Sequence, residues 1–160
     1  MPISNPPGNT TNAISSIYRA VSRVTQPISG ASDGTIVAFE VEKEAEHITQ
    51  ATGVVTVDLA NKYILTARLS MDIQNFSGAV ETWVEYFNGT TWEFLDDSGQ
   101  IKELDRYNEG AIYYTTGMTL LAGTQLRLKV RSSSSNLSLQ STTLANGVVS
   151  PSVALSIVNV

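Results

Sequence analysis

Few residues in this 160-residue chain could carry out acid–base or nucleophilic chemistry. It has no cysteine and one histidine, His47, which lies in the charged run Glu-Lys-Glu-Ala-Glu-His. A Ser-His-Asp arrangement would need the fold to bring a serine and an acid to that imidazole. Nothing around His47 resembles the turn that exposes a nucleophilic serine. We therefore predict an exposed loop histidine, no catalytic residue and no enzymatic activity.

The acidic residues offer two further candidate sites. Asp96-Asp97-Ser98-Gly99-Gln100 has the composition of a calcium loop but lacks the alternating ligands and the closing glutamate. Glu103 and Asp105 could serve glycoside hydrolysis only if the fold placed them about 5–10 Å apart across a cleft. We predict solvated loops in both cases, and neither a metal nor a cofactor. Three glycines, predicted as turn residues, belong to no phosphate-binding loop: Gly117, Gly123 and Gly147.

The charge is distributed unevenly along the chain. The net charge is −5, but residues 1–32 contain only Arg19 and Arg23 and no acid, so this segment is basic. Residues 33–160 carry eight basic and fifteen acidic side chains. An acidic body disfavours nucleic-acid binding, which needs clustered Lys and Arg. No apolar run approaches the roughly 18 residues of a membrane span, and we expect no secretory signal, no membrane partner and synthesis in a bacterial host cytoplasm.

From Thr35 onward, apolar residues recur at every second position, which is the spacing of a strand. The segment 63–72, Tyr-Ile-Leu-Thr-Ala-Arg-Leu-Ser-Met-Asp, shows this pattern. In 124–132, leucine and valine alternate with arginine and lysine, and 152–160 repeats the alternation. Eight to ten short strands separated by turn signals, with no helix between them, predict an all-β antiparallel jelly-roll sandwich over residues 35–160.

Asn88-Gly89 stands between two aromatic strands and predicts a two-residue hairpin turn. This turn would pair Phe87 with Thr90 and Trp83 with Phe94. Four aromatic residues then share one face, and we expect them to anchor one side of the core: Trp83, Phe87, Trp92 and Phe94. Glu81 and Glu85 lie on the same face, so its edge must reach solvent or a polar partner.

Residues 13–24, Ala-Ile-Ser-Ser-Ile-Tyr-Arg-Ala-Val-Ser-Arg-Val, have the apolar spacing of a short helix. Thr11 or Asn12 could cap it. An isolated helix of this length is marginal in water, so it needs a surface on which to dock. We therefore predict that residues 1–34 form an extended docking arm, with this helix binding either a partner or its own trimer. The predicted docking residues are Ile14, Ile17, Tyr18, Arg19, Val21, Arg23 and Val24.

The C-terminal half resembles the trimeric jelly rolls of the tumour-necrosis-factor and complement-head type. The resemblance is carried by residues 63–72, by Met-Thr-Leu-Leu-Ala-Gly-Thr-Gln-Leu-Arg-Leu-Lys-Val (118–130) and by the apolar final strand. Thr124 stands where these families usually have Asp, and Asn61-Lys62 replaces the usual glycine before Tyr63. The resemblance covers about residues 35–160 and implies a ten-stranded jelly roll packed as a homotrimer.

The same jelly roll is similar to small structural proteins of tailed bacteriophages. The resemblance implies a capsid decoration (cement) protein on the outer surface of the virion, a trimer that binds the major capsid protein and bridges neighbouring shell subunits. Three docking arms on one trimer would add their weak contacts through avidity. The alternative function is a receptor- or glycan-binding knob at the tip of a phage fibre or tail. A knob should show an exposed aromatic or carboxylate-lined pocket far from the arm.

Overall fold

A computed structural model describes residues 15–72, 78–105, 110–133 and 137–160. The described residues form sixteen strands and no helix. The strands, in chain order, are β1 Ile17–Ser22, β2 Gln26–Pro27, β3 Thr35–Ile36, β4 Val41–Glu46, β5 Ile48–Ala51, β6 Val54–Val57, β7 Asn61–Asp72, β8 Gly78–Phe87, β9 Trp92–Phe94, β10 Gln100–Leu104, β11 Ala111–Leu120, β12 Gln125–Ser132, β13 Ser138–Leu139, β14 Thr142–Thr143, β15 Val149–Ser150 and β16 Val153–Asn159.

The strands pair into two seven-stranded sheets and one small hairpin. The front sheet has the order β2-β13-β7-β16-β1-β4, and β11 also pairs with β7. The back sheet has the order β10-β8-β12-β6-β5, with β3 beside β12 and β9 beside β8. β14 and β15 pair with each other. The strand pairs of the described residues are antiparallel, which confirms the predicted all-β antiparallel class.

The core lies between the two sheets and follows the alternation of the sequence. Along β7, Tyr63, Leu65 and Leu69 are at most 2% exposed, while their neighbours face outward. The same alternation buries one face of β12, formed by Leu126, Leu128 and Val130. It also buries one face of β16, formed by Val153, Leu155 and Ile157. These three strands therefore match their sequence-based prediction.

The predicted helix within residues 13–24 is wrong. Ile17–Ser22 is strand β1, which lies between β16 and β4 and pairs with both. Its buried positions alternate, because Tyr18, Ala20 and Ser22 face the core. In so short a segment the same residues fit both the helical and the strand period. Its two neighbouring strands pair with it on both sides, and its alternate side chains fill the core, so the sheet decides in favour of the strand.

The strand assignment also changes the predicted division of the chain. Residues 1–34 were assigned to a docking arm and 35–160 to the jelly roll, yet β1 and β2 pair with strands of the front sheet. Ile28, just after β2, is 1% exposed and belongs to the same core. The jelly-roll domain therefore includes residues from Ile17 onward, and the boundary at 34 does not separate an arm from these strands.

The β8–β9 hairpin has a different register from the predicted one. Phe87 pairs with Trp92 and Glu85 with Phe94, so the connection spans Asn88–Thr91. The Asn88 side chain closes this loop, because its Oδ1 accepts hydrogen bonds from the Thr90 and Thr91 amides at 2.8 Å each. The register differs by two residues, so each aromatic ring stays on its predicted face.

That aromatic face lies on the outside of the back sheet and does not anchor the core. Val80, Thr82 and Val84 of β8 face the core instead. Trp83 is 8% exposed because the segment around Gly34 covers it, whereas Phe94 is 68% exposed. Glu81 and Glu85 on this face have the polar partners that the sequence required, as the ion pairs below show.

Candidate functional site

The outer face of the front sheet carries many small or apolar side chains across β1, β16, β7 and β11. Strand registers align its outward residues in rows across β1, β16, β7 and β11. One row contains Val21, Ala154, Arg68 and Tyr113. The neighbouring rows contribute further small or apolar side chains, namely Ile17, Val158, Ile64, Ser156, Thr66 and Thr115. Such a surface differs from an ordinary solvent face, which carries mostly charged side chains.

A shallow depression of about 410 Å³ lies in the middle of this face. Its floor is formed by the small residues of β16, Ala154 and Ser156, and Tyr113 of β11 stands at its rim with 67% of its surface exposed. Large exposed aromatic rings beside small side chains are typical of protein interfaces, where a ring of one partner fills a hollow of the other. The depression is therefore shaped for a protein surface.

Three basic residues line the depression, namely Arg19, Lys43 and Arg68. Arg19 pairs with Glu44 of β4 at 3.3 Å, and both side chains are about half exposed. Arg68 donates one long hydrogen bond from its Nη2 to the Ser150 hydroxyl at 3.4 Å. The Nε of Arg68 is buried and has no hydrogen-bond partner. A guanidinium whose donors are partly unused favours an incoming carboxylate or carbonyl oxygen.

The structure divides the predicted docking residues between the two sides of β1. Ile17, Arg19 and Val21 face outward on the front sheet, and Arg19 and Val21 line the depression. Tyr18 is fully buried, and burial, with a smaller contribution from the charge of Glu42, raises the pKa of its phenol to about 12. Arg23 and Val24 follow the strand, with Val24 51% exposed. Ile14 lies outside the described residues.

The residues considered for catalysis or metal binding lie apart from the depression. His47 is exposed and occupies a turn position with a φ of 55° between β4 and β5. In the 96–100 loop, Ser98 is buried, and its hydroxyl accepts a hydrogen bond from the Val84 amide at 3.1 Å. Tyr114 donates to the Ser98 carbonyl at 2.6 Å. The buried part of this loop therefore holds β8 and β11 together.

The described ranges contain no group of three or more His, Asp or Glu side chains that could hold a metal ion. In the same ranges, no helix is long and apolar enough to cross a membrane. Of the glycines predicted at turns, Gly123 and Gly147 lie in turns with a φ of 82° each. Gly117 lies inside β11, so its assignment to a turn is wrong.

The fold is similar to that of known structures, although the sequence is not. The chain matches no family model and no curated protein. The crystal structure of murine APRIL at pH 5.0 superposes with a TM-score of 0.60 at 15% identity, covering 91% of this chain and 99% of that one. Murine APRIL at pH 8.0 gives 0.59 at 17% identity with the same coverage. The likeness shows a jelly roll of the tumour-necrosis-factor type.

Sequence reasoning missed the outer face of the front sheet as a site. The signal was present in the alternation itself, because most positions between the core residues of β7 and β16 are small or apolar, with Arg68 as an exception. Ile64, Thr66, Ala154 and Val158 are examples. In β12 the same positions are Arg127, Lys129 and Arg131, which predict a face toward water, although Lys129 is only 5% exposed. Comparing the non-core positions of different strands would have identified the apolar face.

Proposed function

We propose that this protein is a structural component of a bacteriophage virion. It acts as a capsid decoration protein, a homotrimer on the outer surface of the shell that bridges neighbouring major capsid subunits, and it is not an enzyme. The observation that carries the proposal is the apolar depression on the front sheet, which fits a protein surface. The jelly roll of the tumour-necrosis-factor type supports the homotrimer. The sequence resemblance to phage decoration proteins supports the role in the virion.

The second copy in the trimer supplies the surface that fills the depression. The open side of the sandwich is formed by β10 and β11, the outermost strands of the two sheets on that side. The Gln100 Nε2 donates to the Thr115 carbonyl at 3.2 Å and joins these strands. Ile101, 71% exposed, and the exposed carboxylate of Glu103 extend from this edge. An edge that packs on the neighbour's face makes a heterologous contact, which closes into a ring when the rotation is three-fold.

The charges of the two surfaces are complementary. Arg68 on the face makes one long hydrogen bond from its Nη2, and Glu103 on the edge is an exposed acceptor. An ion pair across an interface fixes the register of the contact more than it adds affinity. The apolar residues around the depression supply the main favourable term, since burying their surface removes it from water.

Binding to the shell is assigned to the segment that precedes β1. The chain enters β1 beside the C-terminal strand, where the Ser16 amide donates to Asn159 Oδ1 at 2.8 Å. A trimer carries three copies of this segment, so three weak contacts would add through avidity. Ile14 belongs to this segment, whereas Tyr18 belongs to the core.

Two measurements test the proposal. Light scattering or native mass spectrometry of the full chain should give a trimer at micromolar concentration. Co-sedimentation with capsids that lack the protein should show binding by the full chain, and a variant without residues 1–14 should remain a trimer but sediment at least about tenfold more weakly. A monomer, or equal binding by the truncated trimer, would contradict the proposal.

A further inference from the structure

A groove of about 600 Å³ lies at the open side of the sandwich, between β9 and the C-terminal half of β11. One wall is formed by β8, β9 and the turn that follows, and the other by β11 and the turn before β12. Its volume falls within the roughly 300–1,000 Å³ of small-molecule sites. The residues that line it take no part in the depression on the front sheet.

Polar groups converge on one wall of this groove. The Tyr86 hydroxyl donates to Glu93 Oε2 at 2.7 Å, and Asn88 Nδ2 donates to Glu93 Oε1 at 2.5 Å. Both carboxylate oxygens of Glu93 are thereby oriented, and each keeps a free lone pair. The hydrogen bond to Glu93, the charge of Glu93 and the charge of Asp96 raise the pKa of Tyr86. Asp96 therefore lies within electrostatic reach of the same hydroxyl.

The remaining lining is apolar or carries hydroxyl groups. Phe94 is 68% exposed and Leu121 is 75% exposed, so two large apolar side chains face solvent at the groove. Thr119 and Thr124 add hydroxyl groups on the side of β11. Solvent-facing rings beside hydrogen-bonding groups suit a ligand that has both apolar and polar surfaces.

Gly117 brings the bare backbone of β11 to the groove, and its register opposite Ile64 places it also on the outer face of the front sheet. It lies in the middle of β11 and lines the groove, although its φ is not one that requires glycine. A Cβ at this position would have no atom closer than 3.9 Å, so packing does not exclude a side chain. Glycine inside a strand often marks a place where a ligand approaches the backbone closely.

The charge of the lining selects the class of ligand. Glu93 and Asp96 are acceptors, and the described residues that line the groove include no lysine or arginine. Carboxylates accept hydrogen bonds from hydroxyl groups and repel anions. A small amine would satisfy the carboxylates but would leave the apolar side chains and the threonine hydroxyls unused. A neutral sugar ring places hydroxyl groups at its rim and C–H groups on its faces, so it uses all three kinds of surface.

We propose that this groove is a binding site for a neutral saccharide, held by Glu93, Asp96 and the exposed face of Phe94. This activity is separate from capsid decoration, and it would give a decorated particle a weak, multivalent affinity for glycans. Anionic sugars are excluded by the two carboxylates.

Saturation-transfer NMR on the full chain tests the site. The probes are the methyl glycosides of glucose, galactose, mannose and N-acetylglucosamine, with methyl glucuronide as the anionic probe and spermidine as the amine. At least one neutral glycoside should bind with a dissociation constant in the millimolar range, and methyl glucuronide should not bind. Asp96→Asn and Phe94→Ala should each weaken binding about tenfold.

The sharpest variant is the double substitution Phe94→Ala with Asp96→Asn, which removes the exposed ring and one carboxylate of the groove and leaves the front sheet unchanged. It should abolish saccharide binding while the melting temperature stays within a few degrees of the parent, since both side chains are exposed. Asp97→Asn is the matched control, because it removes the same charge one residue away from the groove wall and should bind within about twofold of the parent.

Three results would overturn the saccharide proposal. They are binding of spermidine without any neutral glycoside, saccharide binding that survives the double substitution, and no glycoside binding by a chain that is shown to be folded. Co-sedimentation of the double variant with capsids should match the parent, because neither residue belongs to the front sheet. That result separates a failure of this proposal from a failure of the decoration role.

Discussion

The two outer faces of the sandwich are built from the same kind of strand but satisfy their side chains in different ways. On the back sheet, Arg127 pairs with Glu85 at 2.6 Å and Arg131 pairs with Glu81 at 2.5 Å, each across directly opposed positions. Glu85 also accepts the Trp83 indole N–H at 3.0 Å. On the front sheet, the outward positions are mostly small or apolar, and Arg68 keeps an unpaired Nε.

The difference shows which face has hydrogen-bond and ion-pair partners for its polar side chains within the single chain. The guanidinium of Arg127 lies 4.1 Å from the Trp92 ring centroid, so this charge also covers one aromatic ring of the back sheet. Among the described residues, Ala154 and Ser156 on the front sheet line an open depression. A face that satisfies its own polar groups is suited to solvent, whereas an apolar face with a spare donor is suited to a protein partner.

The largest expected effect comes from removing the strand that carries part of the front face. Deletion of residues 1–32 should abolish folding, because it removes β1 from between β16 and β4 and leaves Tyr18 and Ile28 absent from the core. Circular dichroism and a thermal melt should show no cooperative transition. Deletion of residues 1–14 is the control and should melt like the parent. A folded product lacking residues 1–32 would restore the separate-arm hypothesis.

The second largest effect should come from placing a charge on the front face, compared with a charge on the back sheet. Val21→Asp should weaken self-association by at least about 100-fold, because it places a charge in the apolar contact of the front sheet. Sedimentation velocity over a concentration series measures the change. Thr49→Asp, at an exposed position of β5 in the back sheet, should leave the trimer intact. Equal dissociation by both variants would show that the front face is not the interface.

The cover over the back face depends on one glycine. Gly34 has a φ of 62°, and a Cβ there would lie 2.6 Å from the Trp83 ring and 2.9 Å from the Val130 carbonyl oxygen. Gly34→Ala should therefore reduce the free energy of unfolding by about 2 kcal/mol. Gly123→Ala is the matched control, since its φ is 82° but its surroundings are open. Its cost should be about 1 kcal/mol, from backbone strain alone. Equal losses of unfolding free energy for the two variants in urea denaturation would show that the contact with Trp83 does not require glycine at position 34.

The smallest effect compares one ion pair from each face. Glu85→Ala should cost about 1.5 kcal/mol of unfolding free energy, because it leaves Arg127 and the Trp83 N–H without their acceptor. Glu44→Ala, which removes the exposed partner of Arg19, should cost no more than about 0.5 kcal/mol. Urea denaturation of both variants provides the comparison. A larger loss of unfolding free energy for Glu44→Ala than for Glu85→Ala would contradict the view that the back face satisfies its own polar groups.

The sequence predicted the long strands well because their apolar residues alternate over many positions. In β7, β12 and β16, one face is almost entirely Leu, Val, Ile or Tyr, and only one register buries it. The absence of a histidine or cysteine cluster predicted no catalytic centre, and this stays a prediction. The expected virion role and capsid partner remain proposals.

The errors fall where local pattern and tertiary environment compete. Residues 17–22 carry apolar side chains that fit two periods, and only the open edges of β16 and β4 favour the strand. The Asn88-Gly89 pair favours a two-residue turn, but the Asn88 side chain bonds to Thr90 and Thr91 and stabilises a longer loop.

The sequence by itself determined that this chain folds into an antiparallel sandwich, because alternation at every second position is a property of each strand alone. It also determined which residues share a face. Only the tertiary structure decided which face points inward, since that choice depends on the sheet that packs against it. The aromatic face of β8 lies outside because Val80, Thr82 and Val84 fit the closely packed interior, whereas Glu81 and Glu85 require the arginines of β12 beside water.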